Sequence, residues 1–218
     1  MQIQSHILKS IPEFKIEDSF ETVLDFFKEN TYSHIAITEK NRFLGVFSEN
    51  DVEIIDATAK IETHRYDLET FFVRKNTNWL DVLEAFARNE ANLLPVLGEN
   101  EEVIGYYDLT DIVSVFIDTP FFTDPGNILV VAKGLKDYSF SEIAQIVESN
   151  NAKFIGGLIT DIQNDVVQIT IKISTTNFNE VVQTFRRYNY NIIFGNSDDQ
   201  FLEDLKQRSD YLDKFLNV

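Results

Sequence analysis

Gly45-Val46-Phe47-Ser48-Glu49-Asn50-Asp51 and, sixty positions on, Gly105-Tyr106-Tyr107-Asp108-Leu109-Thr110-Asp111 decide how this chain folds. In each, a short apolar run carrying one glycine ends on a polar residue three positions before an aspartate. That is a strand running straight into a helix start. Working outward, a shift of sixty lays 18–51 over 78–111 without a gap. Phe20, Val23 and Phe26 fall on Leu80, Leu83 and Phe86, a helical stripe in both copies. His34-Ile35-Ala36-Ile37 falls on Leu94-Pro95-Val96-Leu97, an apolar run of strand length.

Each copy therefore reads strand, helix, strand, strand, helix. Asp18-Ser19-Phe20-Glu21 and Asn78-Trp79-Leu80-Asp81 place a capping residue three before an acid, which also suits the positive end of the helix dipole. Turn-like residues 39–42 and 98–101 separate the paired strands.

The style changes at the Pro/Gly-bearing segment 118–127, which reads as a linker. Beyond it, 128–132 is a strand, Ser139-Phe140-Ser141-Glu142 opens a helix, and strands 153–161 and 166–174 meet at Gln163-Asn164. A second helix opens at Asn177-Phe178-Asn179-Glu180, and 191–194 closes the series. The order βαββαβ is the split-βαβ, ferredoxin-like pattern. In the last segment Phe201, Leu205, Leu212 and Phe215 share one face of an expected helix, with Ser197-Asp198-Asp199 as its cap. The expected organisation is repeat 1 over 1–60, repeat 2 over 61–118, linker 119–126, a ferredoxin-like domain over 127–196 and a terminal helix over 197–218. The fold class is α+β.

The two heptads resemble the signature of CBS (cystathionine-β-synthase-type) repeats, G-x-x-[ST]-x-x-D. Residues 45–51 match it fully, whereas 105–111 carry Asp108 where the hydroxyl belongs. The stretch 127–196 resembles an ACT domain in element order and in Gly134 after the first strand. A CBS pair followed by an ACT-like domain looks like the acetoin-utilisation-type proteins, for which the resemblance implies a regulatory role.

Paired CBS repeats, by the resemblance, leave two clefts that take adenosine-containing ligands such as AMP, ADP, ATP or S-adenosylmethionine. Asp51 would accept from ribose hydroxyls, and Ser48 would donate to a phosphate over the helix start. Asp111 would serve the second cleft. There the Asp108 carboxylate would repel a phosphate, so the Ser48/Asp51 cleft is the expected nucleotide site, and the Asp111 cleft would be empty, take a nucleoside without phosphate there, or need a bridging cation. Phe14 and Ile16 on the first strand, with Tyr32 and His34 before the central one, are the candidates to enclose a base. Both heptads are equally capping motifs, and capping accounts for them without any ligand. Lys60 and Arg65 lie between the repeats, within reach of a cleft or simply solvated. The 133–137 loop reads either as an amino-acid site, by the ACT resemblance, or as a glycine turn feeding a helix. Gly156-Gly157 inside a strand marks a bulge or a close backbone approach.

The formal net charge of −17, from 36 acidic against 19 basic residues, argues against nucleic acid and anionic membrane as partners. With no cysteine there are no disulfides, thiolate nucleophiles or Cys-based zinc sites. Three scattered histidines have no metal spacing, no catalytic motif stands out, and no signal peptide or apolar run of ~20 residues is seen. The expectation is a cytoplasmic, non-catalytic sensor that homodimerises and acts on a protein target. The alternative is an interaction scaffold with degenerate clefts.

Overall fold

A computed structural model describes residues 2–195, arranged as two units that divide after Asp118. The expected terminal helix and its cap lie outside the described residues.

The first unit holds two copies of one plan. Copy one runs β1 (Phe14–Lys15), α1 (Phe20–Glu29), β2 (His34–Glu39), β3 (Arg42–Ser48) and α2 (Glu49–Glu53); copy two runs β4 (Val73–Arg74), α3 (Trp79–Arg88), β5 (Leu93–Leu97), β6 (Val103–Asp108) and α4 (Leu109–Ile117). Each makes a three-stranded sheet in which the first strand is parallel and the third antiparallel to the central one.

The structure corrects the gapless shift of sixty. Phe14 answers to Val73, and Ala36, opposite Val46, answers to Pro95, opposite Tyr106. The offset is 59 up to the central strand and 60 after it, because the second hairpin loop holds one more residue. Helix phase follows. Phe20, Val23 and Phe27 are buried in α1 and Val82 and Phe86 in α3, while Leu80 is exposed. The N-caps are Ser19 and Asn78, and Asp18 closes a turn by accepting from Lys15 N instead. Thr77 does the same for Arg74 N in copy two.

Burial of these stripes drives the packing. Phe20, Phe47, Ile35 and Ile37 centre one core; Phe86, Leu94, Val96 and Tyr107 belong to another that also takes in Ala36 and Val46 of copy one. At ~25 cal/mol per Å2, each such side chain contributes about 1.5–3 kcal/mol of transfer free energy.

The copies also exchange their lead-in segments. Leu8, ahead of copy one, bridges Tyr106 on β6, and Glu69, ahead of copy two, bridges Val46 on β3. The two glycines of the heptads explain themselves here. A Cβ on Gly45 would stand 2.6 Å from the Glu69 carbonyl oxygen, and one on Gly105 would overlap that of Leu8. Gly105 also has φ +145°, a backbone region that L side chains avoid.

In the second unit, β7 (Asn127–Gly134), α6 (Phe140–Ser149), β8 (Lys153–Gln163), β9 (Val166–Ser174), α7 (Phe178–Arg187) and β10 (Asn191–Gly195) follow the βαββαβ order. The antiparallel sheet has strand order β10-β7-β9-β8. Leu129, Val131, Ile169 and Ile171 pack with Ile143, Val147, Val181 and Phe185 of the two helices. Ser139 caps α6 through Glu142 N, and Asn164 and Asp165, both at positive φ, make the tight β8–β9 turn. Within 119–126, α5 (Pro120–Thr123) forms a single helical turn. Its Phe121 ring lies against Gly156, beside a register shift in β8, and its Phe122 carbonyl accepts from Lys172 Nζ.

Candidate functional site: two helix starts and the clefts they face

Both heptads are capped helix starts. Ser48 Oγ accepts from Asp51 N at 3.1 Å and donates to Asp51 Oδ2 at 2.5 Å. Asp108 Oδ1 accepts from Thr110 N at 2.7 Å and Asp111 N at 3.2 Å. Ser48 and Asp108 therefore both cap through their side chains, and the Ser48 hydroxyl proton is already committed to Asp51.

The first N–H of α2 and of α4 is bound by the residue just before the central strand of its own copy: Glu49 N donates to Ser33 O and Leu109 N to Asn92 O. Ser33 and Asn92 hold corresponding places and tie the copies together. Ser33 N donates to Asn92 Oδ1 at 2.7 Å, and Asn92 N to Ser33 Oγ at 2.8 Å. Motif ends and repeat interface are thus one hydrogen-bonded structure.

The four base-enclosing candidates do not converge on the Ser48/Asp51 helix start. His34 pairs across from Ser48, and its ring meets Phe71 edge-on at 5.1 Å. Burial lowers the His34 pKa, with Glu69 and Asp51 pulling it partly back up. It therefore stands on the first cleft, beside the second copy's lead-in. Tyr32 packs against the second copy's core, and its pKa is raised first by burial and then by the charges of Asp108 and Asp111. Its ring stacks on Phe26. Phe14 lies at the far end of β2, opposite Ile37, with its ring edge-on to Phe26. Ile16 is buried in the core of copy one.

Sequence reading missed Glu69 and Phe71 at the first cleft, and Tyr106 at the second. The signal was present in the mid-strand glycines, which mark a close backbone approach. Arg65 is spent at the hairpin end, paired through both nitrogens with Glu39 at 2.9 and 3.1 Å. His64 bonds Asp67 at 2.8 Å.

A cavity of about 200 Å3 opens between the copies, lined by the 9–14 lead-in, Ala36, Thr38 and the start of β6. A groove of about 410 Å3 runs along Leu83, Phe86, Asn92 and Leu109. Ser48 and Asp51 line neither. In the second unit the 133–137 loop is tied to its surroundings, with Leu135 N donating to Asp165 O. Lys133 Nζ sits 2.6 Å from Glu142 Oε2, which lowers the Glu142 pKa, and lies over the Tyr190 ring at 4.3 Å. Burial chiefly pushes the Tyr190 pKa up to about 12. Among the described residues no cluster of His, Cys, Asp or Glu is placed to hold a metal ion, and no helix is long and apolar enough to cross a membrane.

Two copies of a βαββα unit that exchange lead-ins and face each other through capped helix starts define a paired-repeat module. The CBS domain family model matches residues 6–53 and 67–118, so the first unit carries a tandem pair of CBS domains.

Among solved structures, a CBS domain pair/ACT domain protein from Thermotoga maritima is similar at 19% identity over 54% of this chain and 98% of its own, with TM-score 0.49. The CBS domains of a transcriptional regulator from Streptococcus pneumoniae match at 17% identity over 52% and 98%, with TM-score 0.47. CBSX2, solved in complex with AMP, matches at 19% identity over 53% and 96%, with TM-score 0.44. The search of curated proteins returns no match.

Proposed function

We propose that this chain is a non-catalytic regulatory module that takes an adenosine-containing ligand in its first inter-repeat cleft. Its proposed place is between the Ser48–Asp51 helix start and the lead-in of the second repeat. The observation that carries the reading is the lead-in exchange, which puts Glu69 of one repeat on Val46 of the other. A guest there bears on both repeats, so binding favours one arrangement of the pair.

The chemistry refines the ligand. Asp51 gives Oδ2 to Ser48, and Oδ1 has no partner among the described residues, so it is free to accept from a sugar hydroxyl. Ser48 donates to Asp51, and α2 spans only five residues. The hydroxyl and helix dipole that would greet a phosphate are therefore weak here. With Glu69 and Asp51 both acting on His34, the cleft suits the nucleoside part of a ligand more than its phosphates. Adenosine and S-adenosylmethionine fit better than AMP, ADP or ATP.

A thermal-shift panel of those five compounds tests this. At one hundred times Kd a ligand adds about 2.7 kcal/mol to the native state. Adenosine or S-adenosylmethionine should give the largest rise, and Asp51→Asn should remove most of it. The satisfied Ser48–Asp51 cap favours a second reading, a scaffold for a protein partner. No shift with any compound would reject the sensor and leave that reading.

A further inference from the structure

The two inter-repeat clefts share a plan but not an occupant. Val46 and Tyr106 hold corresponding places, as do Pro95 and Ala36. In the second cleft the Tyr106 side chain crosses from β6 to the other repeat, and its hydroxyl accepts from Ala36 N at 3.2 Å. In the first cleft that link has no chemical basis, since valine carries no hydroxyl and proline no N–H. Ala36 lies one residue beyond the end of the β1–β2 pairing, so its amide needs a partner from elsewhere. Tyr106 supplies it and is 3% exposed.

What remains beside the ring is the cavity of about 200 Å3, walled by Glu13, Phe14, Ala36, Thr38, Ile104 and Tyr106.

We infer that Tyr106 is a resident occupant of the second cleft, an aromatic ring of the protein's own standing between the repeats, and that it limits the pair to one ligand. The limit of one rests on the reading of the first cleft given above; the occupancy does not. The pair Tyr106→Val with Ala36→Pro rebuilds the second cleft on the Val46–Pro95 pattern. Titration calorimetry with adenosine should give one site per chain in the parent protein and two in the double variant. One site in both overturns the inference.

If neither protein binds adenosine, the ligand reading fails, and occupancy is judged separately. Tyr106→Gly, or Tyr106→Ala should the glycine variant not fold, leaves a ring-shaped void that p-cresol should refill. The expected result is a rise in Tm of at least ~2 °C at millimolar p-cresol, absent in the parent. An equal response in parent and variant would show that the ring holds no separable place.

Discussion

Tyr106 and Tyr107 are adjacent, both buried, and differ in one respect that a single-atom change can read. The Tyr106 hydroxyl accepts from Ala36 N, whereas the Tyr107 hydroxyl is buried with no partner among the described residues. Removing the first by Tyr106→Phe strands a buried backbone N–H, which costs about 1–3 kcal/mol. Removing the second by Tyr107→Phe deletes a group already without a bond, so stability stays level or rises by up to ~1 kcal/mol. The phenyl ring is kept in both, so apolar burial hardly changes. Urea unfolding with a shared m-value is the assay, and at roughly 4 °C per kcal/mol the Tm of Tyr106→Phe should fall visibly. A cost below ~0.5 kcal/mol for Tyr106→Phe, or a larger cost for Tyr107→Phe, would refute the hydrogen-bond accounting and with it the case for Tyr106 as a strut between the repeats.

Gly45→Ala and Gly105→Ala should each destabilise by about 1–3 kcal/mol through the clash with the crossing lead-in, and Gly105→Ala more, because its φ adds strain. Equal, near-zero effects in urea unfolding would mean the lead-ins do not cross there. His34 gives a pH test. Burial holds its native pKa below the unfolded value of 6.5, so the unfolded state binds the proton first as pH falls. Its stabilisation is therefore complete above pH ~6.5 and is lost as pH drops toward the native pKa. His34→Leu, matching Leu93, should lose less stability than the parent between pH 8 and 5.5; parallel losses would place His34 in water. Asp165→Gly should stabilise the second unit by up to ~1 kcal/mol, since Asp165 sits at φ 60° in a tight turn; a loss in Tm would show that its side chain matters there.

Much of this fold is legible in the sequence, and the errors have physical causes. Strand–helix–strand–strand–helix repeats and the βαββαβ order follow from periodicity and capping residues that the structure uses, such as Ser48, Asn78, Asp108 and Ser139. The register slips by one because a helix with apolar residues at Trp79, Leu80, Val82 and Leu83 fits two adjacent phases equally well. Only the pairing of Phe14 with Ile37 and Val73 with Val96 chooses between them.

The site was harder to read. Nothing in Leu8 or Glu69 announces a single-residue bridge to the opposite repeat, so the sequence offers base-enclosing candidates from one repeat only, whereas the lead-in bridges join both. The Tyr106–Ala36 bond is invisible for the same reason, although an alanine where the other copy has proline is its trace.

An amide NMR titration with adenosine tests the central idea most directly. Shift changes should gather on Val46–Asp51 together with Asp67–Phe71 of the other repeat, and leave Tyr106 and Asp111 almost still. Changes confined to one repeat, or centred on Tyr106, would contradict a guest held jointly at the Ser48 helix start.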